Sequence, residues 1–190
     1  MDRDLQSPST PPDVEITVSS FLEAVRILRE MEIESQTPLR AKDPIFAARK
    51  KQIETYISVF LKSVEQKRPL LKLLETPQDP KLPIKAEVVF EDIVHFYEAL
   101  KLSFGKGGIY IKTDVLLPID SVLDLKVSIS AEDVSFKVAG KVIWVNPRAT
   151  QGRPAGLGIK FYKLSPLQRQ VLEDFMAGML PPDALPHLSE

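Results

Sequence analysis

The hydrophobic period of this chain changes once, at residue 84, and that change dictates a fold in two parts. Upstream, apolar residues recur at helical spacing. Downstream they recur at every second position. Ala86, Val88 and Phe90 alternate with Lys85, Glu87 and Glu91, and Val94, Phe96, Leu100 and Leu102 alternate with His95, Tyr97 and Lys101. Ile109 and Ile111 follow a glycine turn, and Leu123, Leu125, Val127 and Ile129 alternate with Asp124, Lys126, Ser128 and Ser130. Val134 to Trp144 makes a longer strand, with Gly140 as a bulge or bend and Trp144 buried between Val142 and Val145. Leu157, Ile159 and Phe161 supply the last strand. Successive strand side chains point to opposite faces, so each run has one buried and one wet side. Six short strands joined by short turns predict a fold that is mainly β with α, a small six-stranded antiparallel barrel. Ser165-Pro166 with Gln168 then caps a terminal helix, whose Leu167, Val171, Leu172, Phe175 and Met179 can cover one open end of the barrel.

Before the barrel, residues 1–17 form a Pro-, Ser- and Asp-rich tail, and residues 18–76 form a helical extension. Ser20 and Glu23 make a capping-box signature ahead of the stripe Phe21, Val25, Leu28 and Met31. Asp43-Pro44 supplies an N-cap and an N1 proline for a second helix, carried by Ile53, Ile57, Phe60, Leu61 and Val64. "PLLKLLE" reads as a short third helix, and residues 179–190 as a Pro-rich tail. Two or three amphipathic helices bury little alone, so their apolar faces need the barrel or a second copy of the chain, which makes a homo-oligomer one possible outcome.

Composition excludes several chemistries. There is no cysteine, so thiol catalysis, disulfides and thiolate metal sites are ruled out, and two distant histidines, His95 and His187, do not suggest a metal centre. A net charge of −1 gives no whole-chain attraction to nucleic acid or an anionic membrane. No apolar run reaches the roughly 18 residues of a membrane span, and "MDRDLQSPSTPPD" lacks the apolar core of a secretion signal. The chain reads as soluble and cytoplasmic.

The stretch "LSFGKGGIYIKTD" raises the question of a phosphate-binding loop. "GKGG" lacks the spacing of a P-loop, and a strand rather than a helix follows it, which also excludes a dinucleotide turn. No serine lies in a nucleophile elbow, and the carboxylates are scattered along strand faces, so no enzyme activity and no cofactor are expected. A nucleic-acid-binding barrel face would draw on Tyr97, Phe104, Tyr110 and Lys112.

Three segments together, "GKGGIYIKTDVLLPIDSVLDLKVSI", "VAGKVIWVNP" and "PAGLGIKFYKL", resemble a PilZ domain over roughly residues 81–178. The resemblance implies a six-stranded barrel serving bacterial second-messenger signalling, commonly as a receptor for cyclic di-GMP. In that family the glycine turn reads Asp/Asn-x-Ser-x-x-Gly and its polar side chains bind a guanine base. An Arg-x-x-x-Arg element precedes the first strand. Aligned on Gly108, the Asp/Asn position holds Ser103 and the Ser position holds Gly105, while Lys81 and Lys85 stand at the arginine spacing. A lysine offers a point charge where arginine offers a planar fork, and the lost contacts should weaken binding by about a hundredfold. Lys81, Lys85, Ser103, Gly105 and Gly108 are therefore the candidate ligand residues of a degenerate site. The implied role is regulation through a protein partner in motility, pilus or surface-behaviour control. The alternative is a true cyclic di-GMP receptor with a non-standard site, to which Arg148 or Arg153 could contribute.

Overall fold

A computed structural model of the protein describes residues 18–64, 67–79, 82–102, 107–150, 154–180 and residue 185. The helical part comprises α1 (Val18–Glu34), the single turn α2 (Pro38–Ala41) and α3 (Pro44–Val64). Asp43 caps α3 as its sequence requires: one carboxylate oxygen accepts from the backbone N–H of Ile45 at 2.9 Å and of Phe46 at 3.3 Å. Ser20 is not a cap, because α1 is already helical from Val18.

Six strands follow: β1 (Leu70–Glu75), β2 (Ile84–Phe90), β3 (Gly108–Lys112), β4 (Val122–Ile129), β5 (Val134–Asn146) and β6 (Gly156–Phe161). The number of strands matches the expectation, but one expected strand is replaced by another. "LLKLLE" is strand β1, because the free edge of β2 pairs with it and overrides the helix preference of leucine. Residues 94–102, expected as a strand, belong to helix α4 (Ile93–Leu102). Asp92 caps this helix, accepting from the His95 N–H at 2.8 Å, and every residue from Ile93 to Leu100 is buried. A helix enclosed on all sides has no wet face, so its alternation of apolar and polar residues says nothing about a strand.

The sheet order is β1-β2-β4-β5-β6-β3 and the sheet stays open, so the closed antiparallel barrel is corrected. One neighbouring pair, β2 with β4, is parallel. Such a pair needs a long crossover, and the chain from 91 to 121 supplies it, through α4 and β3. The bulge of β5 lies between Val142 and Trp144, where its register with β6 shifts, and not at Gly140.

Phe90, Phe96, Phe136 and Phe175 form the centre of the core, with Phe96 5.3–5.8 Å from the other three rings. Phe175 comes from α5 (Pro166–Met176), held by the Ser165–Gln168 capping box. Val171 and Leu172 of α5 are buried with it, while Leu167 and Met179 remain exposed. Leu185 is buried in the same core. Helices α1 and α3 form an outer layer over α4: Phe21 lies 5.3 Å from Phe60 and 5.2 Å, edge-on, from Tyr97. Trp144 is half-buried rather than enclosed, tilted 5.3 Å from Tyr110 above Gly158.

Candidate functional site

Of the five candidate residues, Lys85 and Gly108 are described, and Lys81, Ser103 and Gly105 lie outside the described residues. Lys85 is the second residue of β2 and faces solvent. Its Nζ donates to Glu75 Oε2 on β1 at 2.7 Å, and this bond holds the lysine pKa above its ordinary value. The register extends that pair into a ladder on the outer face of the sheet. Glu75, Lys85 and Asp124 share one row, and Lys72, Glu87 and Lys126 share another. Lys126 Nζ reaches Glu87 Oε1 at 2.9 Å and the Ser128 hydroxyl donates to the same oxygen at 3.2 Å, which together hold the Glu87 carboxyl below its usual range. Lys85 is thus a rung in an alternating-charge surface.

Gly108 opens β3 at the far edge of the sheet. Following the register, Gly108 pairs with Lys160, Lys160 with Lys141, and Lys141 with Val122, two residues from Asp124, the parallel partner of Lys85. Lys85 and Gly108 therefore stand at the same end of the sheet, on strands separated in order by β4, β5 and β6. The reason for two glycines is divided between them. Gly107 carries the positive φ, +68°. Gly108 is needed for close approach, since a Cβ there would run into the carbonyl oxygen of Ile159. Arg148 is exposed, and Arg153 lies outside the described residues.

The three described residues of the expected nucleic-acid face are buried. Tyr97, Tyr110 and Lys112 are 8%, 5% and 5% exposed, and Phe104 lies outside the described residues. Tyr110 donates its hydroxyl to the Pro154 carbonyl, which Asn146 Nδ2 also reaches at 2.8 Å. Among the described residues no cluster of His, Asp and Glu could hold a metal, and no helix is long and apolar enough to cross a membrane.

Two features were not legible in the sequence. Between α4 and β3, Lys112 Nζ donates to both carboxylate oxygens of Glu98 at 3.0 Å, beside the buried ring of His95. The only available hint was a lysine closing a run of apolar strand residues. Burial, more than any charge, pushes the His95 pKa down, and its ring packs edge-on against Phe90 at 5.3 Å. The second feature is an open cavity against Gly107 and Gly108, walled by α1, α4 and α5. Its walls come from four distant segments, so no local pattern announces it.

The described residues form an open sheet capped by helices, with the glycine turn set against a cavity. The family model for the PilZ domain matches residues 67–178, more than half of the 190-residue chain, and the chain belongs to that family. PilZ domains are regulatory binding modules, which places the chain at family level in cyclic di-GMP-related signalling. No curated protein matches the chain.

Proposed function

We propose that this protein is a regulatory PilZ module that acts through contacts with a protein partner in bacterial motility, pilus or surface-behaviour control, and that cyclic di-GMP is at most a weak ligand. The observation that carries this reading is the 2.7 Å bond from Lys85 to Glu75. The one described basic residue at the arginine positions is engaged with a carboxylate on its own sheet, and a phosphate would have to compete for it. Lysine also cannot supply the two-pronged contact that arginine makes with phosphate or a guanine edge. Leu39 and Ile45, 89% and 79% exposed at the turn between the two long helices, offer apolar surface to a protein partner.

A second reading is a cyclic di-GMP receptor with a non-standard site using Lys81, Lys85 and Ser103. The observation in its favour is that Lys85 and the retained Gly108 occupy the same end of the sheet. Titration calorimetry separates the two. The native chain should release no measurable heat with micromolar cyclic di-GMP, and the variant Lys81→Arg, Lys85→Arg, Ser103→Asp, Gly105→Ser should gain binding. Tight binding by the native chain would overturn the preferred reading in favour of the second.

A further inference from the structure

The cavity at the glycine-turn end of the sheet measures about 680 Å³, within the range that holds a small molecule. Leu28 of α1, Tyr97 and Leu100 of α4, Leu164, and Leu172 and Met176 of α5 give it apolar walls. The Tyr97 hydroxyl already donates to the Met176 carbonyl at 3.3 Å, and burial pushes its pKa up to about 12, so the wall carries no ionised group there.

The charges sit among the other lining residues. Arg29 donates to Glu32 at 3.3 Å, and these two neutralise each other. Lys160 and Arg169, both exposed, have no carboxylate within ion-pair distance among the described residues. Among the described residues of the lining Glu173 is the one remaining acid, which leaves one positive charge in excess among them. The register sharpens this imbalance at Lys160. On one side it pairs with Gly108, which has no side chain to offer. On the other it pairs with Lys141, a like charge whose own ammonium is held by Asp120 at 2.7 Å. Asp120 is thereby committed to Lys141, and Lys160 keeps no carboxylate partner among the described residues.

We propose that this cavity binds an amphipathic anion, with an apolar body among the Leu28, Leu100, Leu172 and Met176 side chains and a carboxylate or phosphate head on Lys160 and Arg169. This goes beyond the regulatory reading and does not depend on it. Cyclic di-GMP lacks the apolar body that the leucine and methionine walls would enclose.

The test uses the fluorescent probe anilinonaphthalene sulfonate, an apolar anion, titrated into the full-length chain. Saturable binding at one site is expected, weakened by about tenfold or more in Lys160→Glu/Arg169→Glu and weakened also by Leu28→Trp, which narrows the apolar part of the space. Dodecanoate or dodecyl phosphate, below micellar concentrations, should displace the probe, and their relative potency identifies the preferred head group. Uncharged dodecanol should displace it at least about tenfold less well. The charge variants alter exposed positions, so they keep the test available if Leu28→Trp unfolds the chain, as circular dichroism would show. Absence of saturable probe binding, indifference to charge reversal, equal potency of dodecanol, or displacement by cyclic di-GMP would each overturn the proposal.

Discussion

Replacing Lys112 by methionine should destabilise this fold far more than removing a surface lysine. The Lys112 ammonium sits 3.0 Å from both oxygens of Glu98, and the two side chains are 7% and 10% exposed. Methionine fills a similar volume, so the cost comes from the carboxylate left buried without its cation. Breaking a buried pair from one side costs about 3–5 kcal/mol. For a domain of this size each kcal/mol moves the melting temperature by about 2–4 °C, which predicts a loss of about 6–20 °C. The double variant Lys112→Met/Glu98→Leu should recover most of this, because the attraction within a buried pair barely offsets the desolvation of its two charges. Urea unfolding of the parent, both single variants and the double variant, followed by circular dichroism, completes a double-mutant cycle. A Lys112→Met protein within about 1 kcal/mol of the parent would refute the buried pair. So would a double variant as unstable as the two single losses added together.

Gly108→Ala should cost about 1–3 kcal/mol or more, because its Cβ meets the backbone of β6 at Ile159 and Lys160; an unchanged urea midpoint would contradict the register of β3. Trp144→Ala should cost about 2–3 kcal/mol, less than a fully enclosed tryptophan, and acrylamide should quench native Trp144 partly. Complete shielding, or quenching equal to that of the unfolded chain, would contradict its half-buried position. His95 should make the protein acid-sensitive. Burial, reinforced by Lys112 and opposed by Asp92, lowers its folded pKa below the ordinary 6.5, so its contribution is present above 6.5 and is lost as pH falls. Glu132, whose carboxyl pKa is raised by burial, acts with the opposite sign. It is common to the parent and a His95→Phe variant, so their difference isolates His95. The parent should lose more stability than the variant between about pH 7 and 5, and parallel curves would refute the assignment.

The parts of this fold that are legible in the sequence are those where one face of an element is wet. Strands β2, β4, β5 and β6 each alternate against solvent on the outer side, and their residues identify them directly. The caps at Asp43 and Ser165 are local chemistry and are equally readable. Helix α4 is not, because packing on all sides erases the contrast that a period measures. β1 is a leucine-rich segment that becomes a strand because β2 presents an unpaired edge. At the candidate site, glycine spacing does not separate the two jobs that the turn requires: the positive φ belongs to Gly107, and Gly108 is required by the approach of β6. The engagement of Lys85 by Glu75 depended on β1 being a strand, so it too was beyond reach.

The most direct test of the account is to titrate cyclic di-GMP into isotope-labelled protein and follow the backbone amides of Lys85, Gly107 and Gly108. The account predicts that these resonances stay in place throughout the micromolar range, because Lys85 remains bound to Glu75 and the turn serves as scaffold. Saturable shifts of the three amides together, with a micromolar or tighter dissociation constant, would contradict it.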